Sequence, residues 1–390
     1  MIRHLITLSW NKKKTHSLLI VEIWASFMVL FGLTSLIIFN VSKYVEPLGF
    51  TYENVWAINL ANNQDTTEVA QKVRAIFQRL KAYPEVESVS RMSDNSPFSN
   101  YHNGMGVSYN KTVTQMSFYV ADENLAETLA MPLTLGTWYR APDSVAKYRP
   151  VVINQKASES LFSNANPVGK TISDYEGKKE IWRVAGVINT FKGKGEFAKN
   201  EPVMIELLDE NATWNKTMLI RVKPGTDAVF EAKMVHDITS MAKGWSVEVG
   251  SLVDSRKAQH NITLVPVIIF LVISGFLLIN VALGLFGVLN LSIAKRRGEI
   301  GLRRALGATG NAISAQFIGE IWVLATFALI IGLLFAAQFP LLNVFDLQAG
   351  IYLTAIAISA LVIYAIVTLC ALFPSRQAAM IQPATALHEE

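Results

Sequence analysis

Residues 262–309 read ITLVPVIIFLVISGFLLINVALGLFGVLNLSIAKRRGEIGLRRALGAT. The part up to Ile293 is apolar, with Pro266 near its start and Asn280 near its middle. A helix rising 1.5 Å per residue crosses about 30 Å of hydrocarbon in roughly 20 residues, so this run is longer than one crossing and extends beyond the bilayer. Three more stretches have the length for a crossing: Leu18 to Phe39, interrupted only by Glu22; Ile313 to Phe339; and Ile351 to Phe373. Gly332, Pro340 and Gly350 punctuate the short connection between the last two, whose one charge is Asp346.

Composition agrees with a membrane chain that carries a water-soluble part. Apolar residues make up 51% and charged residues only 17%, outside the usual soluble balance. A mean hydropathy of +0.30 is too low for transmembrane helix throughout. A formal charge of +4, dispersed and without basic stretches interleaved with aromatics, argues against nucleic acid. The single cysteine, Cys370, lies in an apolar run, which leaves neither a disulfide framework nor a thiolate metal site.

Orientation follows from short flanking segments, because Lys and Arg resist translocation. Arg3, Lys12, Lys13 and Lys14 precede the first crossing, and Lys295, Arg296, Arg297, Arg303 and Arg304 follow the second. These segments are therefore expected in the cytoplasm, with Arg376 and the C-terminal tail on the same side. The first apolar run exceeds the 7–15 residues of a signal-peptide core, and Asn40-Val41-Ser42-Lys43-Tyr44 has no small-x-small cleavage site. It reads as an anchor that stays.

The expected layout is 1–17 cytoplasmic, 18–39 first crossing, 40–261 periplasmic, 262–293 second crossing and 294–312 cytoplasmic. It continues with 313–339 third crossing, 340–350 outer loop, 351–373 fourth crossing and 374–390 cytoplasmic tail. Four transmembrane helices with a large α+β domain between the first and second define the fold class.

In that domain Val55 to Leu60 reads as a strand. Thr66 to Ala82 reads as an amphipathic helix with Val69, Val73, Ile76 and Leu80 at helical spacing, followed by a strand from Val86. A second β-α-β pattern recurs at Met218 to Val222, Asp227 to Ala242 and Val247 to Leu252. Two such units imply a split lobe, about 50–120 and 203–254, interrupted by a strand-rich insertion of about 121–202. Asn166-Pro167-Val168-Gly169-Lys170-Thr171 ends like a phosphate-binding loop, but Asn164 replaces the required earlier glycine, so it reads as a turn before a strand. Phe191-Lys192-Gly193-Lys194-Gly195-Glu196-Phe197 reads as a charged, flexible loop tip with aromatic edges, a solvated hairpin in preference to a partner contact.

No nucleophile constellation, His-Glu-x-x-His helix or dinucleotide fingerprint is present, and the six histidines are scattered. No catalytic, cofactor-binding or metal residue is assigned, and energy is expected to enter through a partner. The segment Lys295 to Thr309 is the candidate entry point. Glu299 and Arg303 sit one turn apart and can pair, Ile300, Leu302 and Leu306 can rest on apolar surface, and the glycines permit turns or close backbone approach. A topological anchor on the anionic leaflet needs only Lys and Arg; Gly, Glu and Ala at fixed places favour a docking surface for a soluble partner.

The string RRGEIGLRRALGAT resembles the cytoplasmic coupling helix of ABC transporter permeases of the MacB type, which share an FtsX-like membrane region. QFIGE at the start of the third crossing, FPSRQAAMIQPATAL near the C-terminus, LTLGTWY at 133–139 and the series VVINQKASESLF, NPVGKTI and WRVAGVI resemble that family in matching order. The resemblance implies porter-like and sabre-like periplasmic lobes, a permease dimer that is homomeric or heteromeric, and a separate ABC ATPase that binds ATP and Mg. It also implies mechanotransmission from that ATPase to the periplasm. Glu299, Ile300, Gly301, Arg303, Arg304 and Gly307 match the family string and are the docking candidates. Glu22 and Glu320 are expected to snorkel or to pair with Arg303 or Arg304; Asn280 bonds either across a dimer or within one bundle.

The function implied is export or extrusion of envelope-associated substrates from the bacterial inner membrane, with a periplasmic adaptor and outer-membrane channel as further partners. Lipoprotein extraction is a variant. An FtsX-like signalling permease that regulates a cell-wall hydrolase, and an anchored adhesion or sensing domain, are the alternatives.

Overall fold

A computed structural model describes residues 13–140, 147–163, 165–175, 180–212, 216–342, 344 and 347–381. Arg3, Lys12, Asn164, Asp346 and the tail from 382 lie outside the described residues. The chain divides into two compact units, Met1–Ser42 with Leu264–Glu390, and Lys43–Thr263.

The first unit is helical. Its long helices are α1 (Lys13–Tyr44), the inner part of α6 (Leu252–Lys295), α8 (Gly310–Ala336) and α10 (Ala349–Ala379), each long and apolar enough to cross a membrane. Hydrocarbon offers no partner for backbone amides, so the crossings must be helices, and each helix runs past its apolar stretch. On α1 the buried residues Leu19, Ile23, Phe27 and Leu30 recur at intervals of four, four and three, which is one helical face. That face packs with Phe317, Ile321 and Leu324 of α8 and with Tyr352, Ala355 and Ile363 of α10.

Small residues allow close approach. Gly332, read above as part of a connection, lies inside α8, where an added Cβ would stand 2.4 Å from the Phe27 ring. Gly350 likewise falls inside α10. Helix α6 contributes Val281, Leu285 and Leu289 to the core, but only 6% of its apolar window is buried, against 39% for α1 and α8. Most of α6 thus presents apolar side chains outward.

The second unit begins with β1 (Val55–Ala61), α2 (Val69–Lys81) and β2 (Val86–Met92) and returns late in the chain with β10 (Thr217–Val222), α5 (Ala228–Met241) and β11 (Ser246–Ser251). These strands form an antiparallel sheet in the order β11-β1-β10-β2, with Ala57 opposite Leu219 and Ile58 opposite Val249. Side chains alternate faces along a strand. Ile58, Leu60, Met218 and Ile220 pack with Val73, Ile76, Leu80, Met234 and Ile238 of α2 and α5, while Val55, Ala57 and Leu219 meet Phe50, Phe98, Leu125 and Leu129 on the other face. Both faces are buried, which is why β10 reads as a nearly continuous apolar run.

Between these halves lie β3 (Gly104–Tyr109), β4 (Thr112–Ala121), α3 (Leu125–Thr128), β5 (Leu133–Gly136), β6 (Arg149–Asn154), α4 (Gln155–Phe162), β7 (Thr171–Asp174), β8 (Glu180–Ile188) and β9 (Val203–Leu207). Strands β4, β3, β7, β8, β6 and β9 pair in that order, and β9 pairs with β4 again, so the six close into a ring. Val107, Met116, Val151, Ile153, Ile172, Val184 and Met204 form one core cluster with Leu161 and Phe162 of α4. The sequence division assigned β3, most of β4, and β9 to the split lobe; their pairing places them in this ring. Alternation marks a strand but does not name its neighbour, and the partners here lie as far apart in sequence as Ser117 and Val203.

Asn166 to Thr171 is a turn, with Gly169 at φ 83° leading into β7. The hairpin reading of 191–197 is overturned. Phe191 and Lys192 are each 2% exposed and Glu196 5%, because the loop packs under the domain's own residues rather than projecting into water.

One carboxylate joins the sheet to the ring. β2 and β4 share a single paired position, Met92 with Ala121, and the next residue, Asp122, takes over. Its Oδ1 accepts from Ser90 Oγ at 2.7 Å and Asn124 N at 3.0 Å, and its Oδ2 from Arg91 N at 2.9 Å. Burial still outweighs these bonds and pushes the Asp122 pKa up to about 6. Since the folded value lies above the unfolded one, the unfolded state deprotonates first, and this group's penalty grows from about pH 4 to about pH 6 and is constant above, at an order of 3 kcal/mol. Subtracting the melting curve of Asp122→Asn from that of the parent chain should therefore reveal a stability difference that changes between pH 4 and 6 and is flat from 6 to 8. A difference without that slope would remove the buried-acid assignment.

Candidate functional site

Helix α6 stops at Lys295, and the chain turns at Arg296, whose φ and ψ of −113° and 18° are not helical. A nine-residue helix α7 (Arg297–Ala305) follows. Its end is specified by local chemistry. Gly307 takes φ 96°, a left-handed conformation that glycine adopts without a Cβ clash; Gly307 N donates to Arg304 O at 3.1 Å and Ala308 N to Arg303 O at 3.0 Å. These two bonds make a Schellman cap. Two residues later Thr309 caps α8, its side chain accepting from Ala312 N at 3.3 Å. The string Leu306-Gly307-Ala308-Thr309 thus ends one helix and starts the next.

The two sides of α7 differ. Ile300 is 4% exposed and belongs to the bundle core with Phe317, and Gly301 is buried beside it. Leu302 and Leu306 are 52% and 79% exposed. With exposed Glu299 and half-buried Arg303 they occupy positions i, i+3, i+4 and i+7, a single helical stripe. Glu299 Oε1 meets Arg303 Nη2 at 2.5 Å along it.

Charged side chains anchor the helix. Arg296 Nη1 donates to both carboxylate oxygens of Glu320, at 2.9 and 3.1 Å, and its Nε donates to Glu299 Oε2 at 3.2 Å. Arg303 Nη1 donates to Gln316 Oε1 at 2.6 Å, and Gln316 Nε2 donates to Glu320 Oε1 at 3.3 Å. Gln316 and Glu320, one turn apart at the start of α8, hold both ends of α7. Arg304 turns back on its own loop, donating to Ala308 O at 3.2 Å.

Of the sequence candidates, Glu299 and Arg303 lie on the outward stripe. Ile300 and Gly301 face inward, Gly307 shapes the turn, and Arg304 braces it. Glu320 pairs with Arg296, not with Arg303 or Arg304. Glu22 stands beside Gly284, where an added Cβ would come within 2.9 Å of its Oε2. Asn280 donates to Phe276 O of its own helix at 2.8 Å. Arg296 and Gln316 went unassigned in the sequence; the signal was a Gln and a Glu four apart at the mouth of an apolar helix.

Helices long enough to span a bilayer, an α+β domain between the first and second, and a capped amphipathic helix after the second define a multi-pass membrane protein of permease architecture. Residues 24–235 match the MacB-like periplasmic core domain and residues 271–383 the FtsX-like permease C-terminal region. The chain belongs to the MacB/FtsX-like family of ABC permeases. It is 27% identical over 226 residues to the macrolide export ATP-binding/permease protein MacB 1/2 of Paracoccus denitrificans, covering 56% of this chain and 33% of that protein. It is 24% identical over 306 residues to MacB of Neisseria meningitidis serogroup A, covering 74% and 46%. The chain spans less than half the length of these relatives. The crystal structure of the periplasmic region of MacB from Actinobacillus actinomycetemcomitans aligns with a TM-score of 0.40 and 14% identity, over 56% of this chain and 98% of that one.

Removing one partner of a shielded ion pair costs far more than breaking an exposed one. Arg296 and Glu320 are 13% and 17% exposed, whereas Glu299 is 42% exposed. Glu320→Gln should lower stability by roughly 2–4 kcal/mol and Glu299→Gln by less than about 1, read as detergent-solubilised melting temperatures; equal effects would contradict the anchoring role.

Proposed function

We propose that this chain is the permease subunit of a MacB-type ABC transporter in a bacterial inner membrane, with α7 docking a separately encoded ATPase. The observation that carries the reading is the division of labour on α7. Glu299, Leu302, Arg303 and Leu306 are turned outward as one stripe, while Ile300 and the Arg296–Glu320 pair tie the same helix to the bundle. A nine-residue helix held this firmly, with exposed Leu302 within it and exposed Leu306 at its C-cap, suits a contact that must bear load.

In this reading the ATPase binds ATP and Mg, and closure of its two copies displaces α7. The termini and α7 are cytoplasmic, as the positive charges around the first two crossings favour. Displacement travels along α6, which runs from β11 to Arg296 without a break and whose 44 residues extend about 66 Å. The periplasmic domain then changes shape and drives export or extrusion of envelope-associated substrates, without cargo passing through the bundle. The relatives' names specify macrolide export, and a substrate of that hydrophobic kind is the first to test. The outward apolar surface of α6 suits a second permease chain, identical or related, and the periplasmic domain is the side on which an adaptor and outer-membrane channel would meet it.

Leu302→Glu with Leu306→Glu alters only exposed positions. Co-purification of the ATPase should fall by roughly tenfold or more, the loss expected from removing a small hydrophobic anchor, while the amount of permease in the membrane stays unchanged. Undiminished capture and ATP hydrolysis in this variant would sink the docking role.

A further inference from the structure

The loop Thr190–Asn200 contains a buried lysine and a buried glutamate. The Lys192 side chain is fully buried. Its Nζ donates to Lys43 O at 2.7 Å and to Glu196 O at 2.5 Å, with Glu46 Oε2 3.8 Å away. The Glu196 carboxylate takes Arg256 Nε on one oxygen, and on the other meets His260 Nε2 at 2.7 Å. Burial works to raise the Glu196 pKa, but the bonds from Arg256 and His260 outweigh it and hold the group below the usual carboxylate value.

The partners define what the loop holds. Lys43 and Tyr44 are the last residues of α1, and Arg256 and His260 lie in the first turns of α6. The Phe197 ring sits 5.7 Å from Tyr44 and 5.0 Å from His260, bridging the same two helix ends. On the flank, Gln259 Nε2 donates to Asn100 Oδ1 at 2.9 Å and Arg256 covers the Tyr52 ring at 4.8 Å. The loop's glycines are required: Gly195 has φ 102°, and a Cβ on Gly193 would stand 2.6 Å from the Tyr119 hydroxyl. A surface hairpin has no use for a buried, hydrogen-bonded Lys and Glu, since burying a charge is costly unless it is paired.

We infer that Lys192, Glu196 and Phe197 form a clamp that grips the outer ends of α1 and α6 together and passes their movement into the periplasmic domain. This rests on the ATP-driven reading above for the source of movement, but the grip itself is independent of it. Glu196 is a positioning residue. Its bonds to both Arg256 and His260 fix two successive turns of α6, and Lys192 ties the same loop to the end of α1, so neither helix end can shift without carrying the loop.

The test places nitroxide labels at Val45 and Lys257, both exposed, in the full chain reconstituted with its ATPase and with Cys370 replaced by Ala. The Val45–Lys257 distance should be narrowly distributed and should shift on nucleotide trapping. In Glu196→Ala the distribution should broaden and the nucleotide-dependent shift fall by roughly tenfold, while basal ATP hydrolysis stays within about twofold. Lys194→Ala, in the same loop but partly exposed, should behave as the parent chain. Glu196→Gln, which keeps the shape and one acceptor oxygen, should fall between, and it is read in the same way if the alanine variant does not accumulate. A distribution in both variants as narrow as the parent's, with the shift intact or lost, overturns the clamp. A parent chain that shows no nucleotide response while the variants broaden overturns the ATP-driven reading and leaves the grip standing.

Discussion

A backbone inside hydrocarbon must satisfy its own amides, and that constraint governs the apolar part of α6, which belongs to a single helix running from Leu252 to Lys295. Both of its ends are specified. At the outer end β11 stops at Ser251 and the helix begins at the next residue, with Ser251 Oγ accepting from Val253 N at 3.1 Å. At the inner end the chain breaks at Arg296, where the guanidinium is taken by Glu320. A flexible linker at either place would absorb motion; neither place has one.

The remaining features answer to those two ends. At the inner end, α7 is short, capped at its C-terminal end by Gly307 and amphipathic, and Arg296 and Arg303 tie it to Glu320 and Gln316, so its exposed stripe is presented in a defined orientation relative to α8. At the outer end, the clamp residues hold the first turns of α6 within the domain that contains β11. Within each unit the packing is conventional. Small residues such as Gly332 allow close helix approach in one, and alternating strands buried on both faces build the other.

Much of this was legible in the sequence because it depends on periodicity. Apolar runs of sufficient length locate the crossings, and the spacing of Val69, Val73, Ile76 and Leu80 marks α2, all four of which are buried. The segment Lys295 to Thr309 was legible as a string, but the division of its residues was not. Gly307 and Thr309 act through backbone geometry, and Ile300 and Leu302, two apolar residues two apart, end on opposite faces for reasons set by the packing of α8. The ring of strands and the clamp were hidden for a different reason. A loop rich in Lys, Gly and Glu normally belongs in water, and what buries this one is the arrival of Lys43 from about 150 residues earlier and Arg256 from about 60 later, a coincidence in space that no local pattern encodes. Asp122 is similar: its pKa is raised chiefly by burial against β2, with the neighbouring Glu123 charge a smaller contribution, and that burial is not encoded locally.

The central claim is that motion enters at α7 on one side of the membrane and leaves at the start of α6 on the other. Single cysteines at Leu302, Leu306, Val45 and Lys257, in a chain lacking Cys370, test it most directly through a membrane-impermeant maleimide applied first to intact and then to permeabilised cells. Labelling at Val45 and Lys257 in intact cells, with Leu302 and Leu306 reached only after permeabilisation, is the predicted result. Labelling of Leu302 or Leu306 in intact cells would contradict it.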